Sequence, residues 1–348
     1  KIFVENLQRL NVEGTLRNFA LPALVSAATG RQLDYDGVVD GSFTAKGNLK
    51  AKGATGYQAV ARLHISPGTR GVPLSGQING DYSGSTSTIR LWESSLQTPH
   101  SRIDLSGSLN RHLAVQAVSH DLNDFVPIVN FGAAQPLRAL PVALEGGAAT
   151  LAVQVAGDLS APQITGHLDI NKFAIERRSF DRLALDLSGS PSYVSVSNGF
   201  LVKAGLRSNF DASLGLRRWM PVPESPLNAN MTVRNGDLAD LLAMAGQSAI
   251  PASGPASADL HIHGTYGNPL GAATFPVING AAYGQLLSRL VAAVNFGDQI
   301  ITLSQAEVDS AAGSITMRGT FQHPRETVRA GHAEFHIAAN NVQLANIK

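Results

Sequence analysis

Residues 147–170, GAATLAVQVAGDLSAPQITGHLDI, carry the pattern on which the fold prediction depends. In the first half, apolar residues alternate with small or polar ones, which is the period of a strand with one apolar face. Gly157 and Asp158 then supply turn residues, and Pro162 bars a continuing helix. The alternation resumes after this proline, so the stretch predicts two strands joined by a turn. The apolar residues of the two strands are Leu151, Val153, Val155, Leu168 and Ile170.

The same pattern recurs in residues 37–65 and 254–277. If Gly47, Gly157 and Gly264 are equivalent positions, they lie 110 and 107 residues apart. A fixed period of this kind indicates a repeat protein, in which each unit contributes the same arrangement of strands.

The repeat divides the chain into four segments. We predict that residues 1–36 are the end of a preceding repeat, 37–141 are repeat unit 1, 142–247 are repeat unit 2 and 248–348 are repeat unit 3. The first segment lacks the beginning of its pattern, so we interpret the chain as a fragment of a longer protein.

The fold class follows from strands separated by Gly, Ser and Pro turns. They predict an all-β chain: a long twisted antiparallel sheet of tandem repeats of about 107 residues, curled into an open groove with an apolar interior. A parallel β-helix would need rungs of about 20 residues or fewer, and no such period is present. Residues 283–294 could also form an amphipathic helix, but the repeat assigns them to a strand.

Short helices are expected at the repeat ends. In unit 2, Asp237 can cap a helix of about two turns and Gly246 can end it. Asp121 and Asp124 of unit 1 recur as Asp237 and Asp240 in unit 2. Paired carboxylates can perform acid–base catalysis, but their recurrence at one repeat position favours a structural role in the helix cap and first turn.

Composition excludes several classes of function. The net charge is +1, only 15% of residues are charged and no basic run is present, so we predict no nucleic-acid partner. The absence of cysteine rules out a disulfide scaffold and thiolate zinc sites. No apolar run is long enough to span a bilayer, so we expect membrane contact only through regions outside this fragment.

No motif for catalysis stands out. A phosphate-binding loop, a nucleophile elbow and a His-Glu-x-x-His zinc motif are all missing from the sequence. His261 and His263 lie on one face of a strand, but two imidazoles are an incomplete ligand set, and we interpret them as solvent-facing. We read His332, Glu334 and His336 in the same way. The sequence therefore predicts no enzyme, no cofactor and no metal site.

The apolar stripe is the candidate functional feature. It is either the core of a packed sandwich or the lining of a groove that holds hydrocarbon, and both need one apolar face. Slim aliphatic residues and the lack of long covering helices favour the groove. The predicted lining residues are Leu151, Val153, Val155, Leu168, Ile170, Leu183, Leu185, Leu187, Leu227, Met231, Val233, Leu260, Ile262, Ile315, Met317, Phe335 and Ile337.

Three segments carry a resemblance to a known family: GDLSAPQITG at 157–166, FDRLALDL at 180–187 and DLADLL at 237–242. Their order resembles the AsmA-like superfamily, most of all the C-terminal repeat region of the TamB (translocation and assembly module) proteins. The resemblance covers nearly the whole chain through degenerate repeats. Unit 1 departs from it, because residues 48–56 lack the Pro turn.

The resemblance implies a non-enzymatic protein in the periplasm of a diderm bacterium, anchored to the inner membrane by a segment outside this fragment. It implies that a hydrophobic β-groove carries phospholipid acyl chains between the inner and outer membranes. One alternative is a scaffold for assembly or secretion of outer-membrane β-barrel proteins with an Omp85-class partner, and another is a β-rich surface adhesin. No cofactor is implied.

Overall fold

A computed structural model describes residues 2–5, 9–48, 50–51, 53–109, 111–131, 136–158 and 161–341. The chain divides into two compact units, residues 1–170 and 171–348. Their boundary falls between the predicted repeat boundaries at 141 and 247. The compact units and the sequence repeats are therefore different divisions of the chain.

The first unit contains ten strands, a helix of two to three turns and a shorter helical segment, with an eleventh strand crossing its end. The strands are β1 (Ile2–Glu5), β2 (Arg9–Ala20), β3 (Tyr35–Asn48), β4 (Tyr57–Pro67), β5 (Val72–Pro73), β6 (Ser75–Ser83), β7 (Thr88–Gln97), β8 (Ser101–Ser108), β9 (His112–Ser119), β10 (Val142–Ala156) and β11 (Gln163–Ile175). The helices are α1 (Leu21–Thr29) and α2 (Val126–Val129), and Gly53–Gly56 and Leu122–Phe125 form 3₁₀ turns.

The second unit continues with the rest of β11, eleven further strands and one short helix. The strands are β12 (Arg178–Ser190), β13 (Tyr193–Lys203), β14 (Leu206–Gly215), β15 (Leu227–Asp237), β16 (Ala252–Ser253), β17 (Pro255–Gly264), β18 (Pro269–Ala282), β19 (Gln285–Gly297), β20 (Ile300–Ser310), β21 (Gly313–Gln322) and β22 (His332–Asn340). The helix is α3 (Leu238–Met244).

The strands belong to one sheet, and long strands that follow one another along the chain pair antiparallel. The one parallel pairing among the described residues joins two residues of β3 to the short strand β5. The prediction of a nearly all-β chain built on an antiparallel sheet, with short helices between groups of strands, is confirmed. Residues 285–297 form β19, so the prediction of a strand in this region is also confirmed.

The three glycines that define the repeat occupy the same place in the fold. Gly47 and Gly264 lie at the ends of β3 and β17, and Gly157 directly follows β10. At Gly157 and Gly264, φ is +79° and +103°, which a residue with a side chain adopts at a steric cost. These two glycines therefore reverse the chain where each hairpin begins.

The short helical segments at the ends of units 1 and 2 are capped as predicted. Asp121 Oδ1 accepts a hydrogen bond from Asn123 N at 2.9 Å, and Asp237 Oδ1 accepts one from Ala239 N at 2.8 Å. Each bond satisfies one of the free N–H groups at the start of a helical segment. Gly246, with φ of +70°, follows the end of α3. The corresponding segment of unit 3 would fall at residues 341–347, which lie almost wholly outside the described residues.

Helix α3 packs on one end of the strands of its unit. Leu238 forms a buried cluster with Ala256 of β17 and Val277 of β18. Two more leucines of the helix, Leu241 and Leu242, pack against this cluster. A helix of seven residues is too short to be stable alone, so this apolar contact is what holds it in place.

Candidate functional site: the apolar face of the sheet

Strand register places apolar residues side by side across the second unit. Residues directly opposite each other in an antiparallel pair project from the same face of the sheet. One such row crosses nine strands and contains only apolar residues and glycine. From β13 to β22 it consists of Gly199, Phe210, Met231, Leu260, Ala273, Val294, Leu303, Gly319 and Phe335. We call the face that carries this row the apolar face of the second unit.

The adjacent row projects from the opposite face and is almost entirely polar. From β14 to β22 it consists of Asp211, Asn230, His261, Ala272, Asn295, Thr302, Thr320 and Glu334. Several of its members hydrogen-bond to one another, as Asn230 does to Asp211 at 2.9 Å and to His261 at 3.1 Å. One side of the sheet is thus suited to water and the other is not.

The first unit has an apolar face of the same kind. Two parallel rows define it, and both contain only apolar residues and glycine. The first consists of Phe19, Val39, Ile65, Gly76, Leu96, Ile103, Ala117 and Leu151, and the second of Gly14, Phe43, Ala61, Gly80, Leu91, Gly107, Leu113 and Val155. Residues 37–141 contribute much of this face, although no lining residue was predicted there. The alternation of apolar and polar residues in this segment was the sequence signal that could have identified these lining residues.

Strand register places the predicted lining residues of β10, β12, β15, β17, β21 and β22 on these apolar faces, and Leu168 and Ile170 share one side of β11. Val153 lies opposite Val115, and Leu183 lies opposite Leu201, which in turn lies opposite Ser208 and then Val233. Leu185 sits between Leu183 and Leu187 on the same side of β12, while Asp186 turns to the other face and accepts a hydrogen bond from Asn198. On the strands whose pairing defines these faces, the predicted residues thus lie on one side.

The predicted lining residues differ in burial. Ile170 and Val233 are buried, at 5% and 0% exposure. Ile315, Phe335 and Ile337, on β21 and β22, are exposed by 44%, 55% and 68%. The other twelve are half-buried. Most of the apolar face therefore retains contact with solvent, which a sandwich core would not.

Burial increases toward the helix. Val233 and Val277 are 0% and 1% exposed where α3 covers their strands, whereas Met231 and Ala273, further along the same strands, are half-buried. In the first unit Val39 and Ile65 are similarly buried at one end of β3 and β4. Each apolar face thus has a closed end and an accessible remainder.

A buried carboxylate fixes α3 to the sheet. Asp240 is 2% exposed, and its Oδ1 accepts hydrogen bonds from Arg178 Nε at 2.6 Å and Lys203 Nζ at 2.7 Å. Arg178 opens β12 and Lys203 ends β13. The Lys203 ammonium also lies 5.4 Å from the ring centre of Phe180, which stacks on Phe173. The contacts of Asp240 with Arg178 and Lys203 therefore account for its burial as a structural feature.

Asp124 holds the matching position in the first unit, where hydroxyl and backbone donors satisfy it and the His100 imidazole Nδ1 lies 3.5 Å from its Oδ1. Its Oδ2 accepts hydrogen bonds from the hydroxyls of Thr98 and Ser101 and from the backbone N–H of His100. Burial by itself would raise the pKa of Asp124, but these hydrogen bonds outweigh it and the pKa is lowered. Tyr35 donates its hydroxyl to Asp124 O at 2.7 Å, and burial followed by the Asp124 charge raises the pKa of Tyr35 to about 12.

The histidines do not assemble a metal site in the described ranges. His261 pairs with Asn230, and His332 and His336 lie on the exposed strand β22 with Glu334. No group of three or more His, Asp or Glu side chains with metal-binding geometry occurs within the described residues. Sequence reasoning missed Arg178 and Lys203 as partners of Asp240, because only the pairing of distant strands brings them together.

Comparison with known proteins adds no further assignment. The chain matches no family model, no curated protein and no solved structure. Across the part of the chain that the structure describes, no helix is both long and apolar enough to cross a membrane.

Proposed function

We propose that this protein holds and passes the acyl chains of phospholipids along the apolar face of its sheet, without performing chemistry. The observation that carries the proposal is the nine-strand row from Gly199 to Phe335. It contains no polar side chain and is largely half-buried rather than filled.

The energetics favour hydrocarbon as the occupant. Burying alkyl groups contributes about 0.8 kcal/mol per CH₂, so a few contacted methylenes are enough to hold a chain on this face. Several positions of each row are glycine or alanine, and the rest are mostly aliphatic. Such a lining offers no hydrogen bond that would fix a ligand at one place, so an acyl chain can slide from strand to strand.

The opposite face of the sheet, which carries the polar row, also supports the proposal. Its Asp, Asn, Thr and His side chains remain hydrated, so a lipid headgroup at the margin of the apolar face stays in water. The resemblance to AsmA-like and TamB proteins supports the same function. We accordingly propose a site of action in the periplasm of a diderm bacterium, with transfer of phospholipid between inner and outer membrane.

A second candidate function is a scaffold for outer-membrane proteins, with an Omp85-class partner. It is favoured by β22, whose nine residues are all exposed and which pairs only with β21 among the described strands. An exposed strand edge can pair with a strand of a client protein. This function would use backbone hydrogen bonds at β22 rather than the apolar face.

A matched pair of variants tests lipid carriage. Leu260→Asn places an amide in the apolar row, and Thr274→Asn places the same side chain on the opposite face of the neighbouring strand β18. Binding of a fluorescent phospholipid should weaken severalfold in Leu260→Asn and remain unchanged in Thr274→Asn. A cooperative thermal unfolding transition in both variants would establish that each is folded. Equal binding by the two variants would refute the apolar face as the lipid site.

A further inference from the structure

The connection between β14 and β15 contains a tight turn at residues 217–220, which has no part in lipid carriage along the apolar face. Arg217 and Met220 form an antiparallel bridge, with Arg217 N donating to Met220 O at 2.8 Å and Met220 N donating to Arg217 O at 3.2 Å. Between them, φ is +54° at Arg218 and +68° at Trp219. Two consecutive left-handed residues define a type I′ turn.

The residues at the centre of this turn are unfavourable for its backbone. A type I′ turn prefers Asn-Gly, because a side chain at positive φ collides with the backbone. Arg218 and Trp219 both carry long side chains at these positions. These side chains are therefore kept at a cost to the turn, as also happens at Glu176 and Arg177 between β11 and β12.

The apolar side chains of the turn are exposed to solvent, and its backbone is hydrogen-bonded to a neighbouring connection. Trp219 is 46% exposed and Met220 is 66% exposed. Trp219 N donates to Pro191 O at 3.0 Å, and Leu216 N donates to Ser192 O at 2.7 Å, so the turn is tied to the connection between β12 and β13. The exposed tryptophan and methionine are therefore held in place rather than carried on a free loop.

Two cations accompany these apolar side chains. Arg217 and Arg218 are exposed, and neither forms an ion pair within the described ranges. The one acidic residue of the same connection, Glu224, is also exposed. The turn lies between the end of β14 and the start of β15, whereas α3 follows the other end of β15. An exposed Trp and Met beside two unpaired arginines match the boundary of an anionic bilayer, where indole rings favour the headgroup region and guanidinium groups bind phosphate.

We propose that the turn at residues 217–220 docks this protein on an anionic lipid bilayer. Trp219 and Met220 enter the headgroup region, and Arg217 and Arg218 contact lipid phosphates. The inference is independent of lipid carriage, because it concerns a surface turn and would hold if the apolar face bound no lipid.

Tryptophan fluorescence provides the first test. The chain has two tryptophans, Trp92 and Trp219. Trp92→Phe leaves Trp219 as the reporter, and Trp219→Phe leaves Trp92, whose ring lies beside the Arg90 guanidinium, as the matched control. With vesicles of brominated phosphatidylcholine and phosphatidylglycerol, Trp219 should be quenched and blue-shifted while Trp92 is unaffected. An unquenched Trp219, or equal quenching of both, would overturn the proposal.

The second test separates docking from the structural role of the turn. Arg218→Asn with Trp219→Gly installs the pair that a type I′ turn prefers, so the melting temperature should be unchanged or higher. Sedimentation with the same vesicles should be lost. Arg217→Gln should weaken sedimentation about fivefold at low salt. If the double variant sediments as the unaltered protein does, or if pure phosphatidylcholine vesicles bind equally well, the turn is not an anionic-membrane dock.

Discussion

The Asp240 carboxylate lies 2.6 Å from the Arg178 guanidinium, although the two residues are 62 positions apart. This contact joins the first turn of α3 to the start of β12, and Lys203 joins it from the end of β13. Asp124 makes the equivalent connection in the first unit through hydroxyl and backbone donors. The repeat thus preserves the position of a buried carboxylate while the groups that satisfy it differ.

Removing the charge of Asp240 should destabilise the fold. Asp240→Asn removes the counter-charge of Lys203 and leaves Arg178 with Asp237 alone, whose Oδ1 lies 3.5 Å from Arg178 Nη2. We expect a loss of about 2 kcal/mol, since both cations are partly exposed and therefore partly screened. Asp121→Asn is the control, because Asp121 caps its helical segment without an ion pair among the described residues and asparagine caps a helix as well as aspartate. Urea unfolding should show a loss only for Asp240→Asn. Equal losses would mean that the ion pairs with Asp240 contribute nothing specific.

Asp124 should make the first unit sensitive to acid. Its folded pKa is below the unfolded value of about 4, so its contribution is present above that pH and is lost as pH falls through the folded pKa. Asp124→Asn should be less stable than the unaltered protein at pH near 7, and the difference should shrink below a pH of about 4. Urea midpoints at both pH values test this, with exposed Asp104→Asn as control. A pH-independent difference would contradict it.

Tyr35 should make the protein sensitive to alkali. Its folded pKa of about 12 exceeds the ordinary value of 10.0, so the folded state keeps the phenolic proton longer than the unfolded state does. Its contribution is therefore complete below the unfolded pKa and is lost as pH rises through the folded one. Absorbance titration should show a phenolate forming near a pH of about 12 that is missing in Tyr35→Phe. A Tyr35→Phe titration identical to that of the unaltered protein would disprove this assignment.

The same substitution at two places should separate the closed and accessible parts of the apolar faces. Val233 is 0% exposed, and Val233→Ala should cost about 2 kcal/mol through lost packing and a residual cavity. Val153 is half-buried, and Val153→Ala should cost less than about 1 kcal/mol. Denaturant unfolding measures both. Similar losses at the two sites would indicate that Val153 is packed as tightly as Val233.

The sequence was sufficient to predict which residues share a face. Period-two alternation assigns Leu183, Leu185 and Leu187 to one side of a strand. The repeat predicted a strand at 283–294 despite a helix-like pattern, and β19 occupies 285–297. Asp237 correctly predicted the start of α3, because helix capping is a local interaction. These predictions succeeded because each depends on residues close together in the chain.

Interactions between distant strands could not be predicted in this way. At Asn198, Asn235 and Asn279, φ is positive and the following residue is glycine, a pair that usually predicts a hairpin turn. All three lie inside strands, and at Asn198 and Asn235 the register shifts. The partners of Asp240 and Asp124 are likewise determined by which strand ends lie next to the helical segments that carry these two residues. The sequence contains no local signal for either outcome.

Photo-crosslinking in cells tests the central claim most directly. A photoreactive residue replaces Leu185 on the apolar face or, separately, its neighbour Asp186 on the opposite face of β12. If acyl chains travel along the apolar face, phospholipid adducts should form at Leu185 and not at Asp186. Adducts to lipid at neither position, or to protein at both, would contradict lipid carriage.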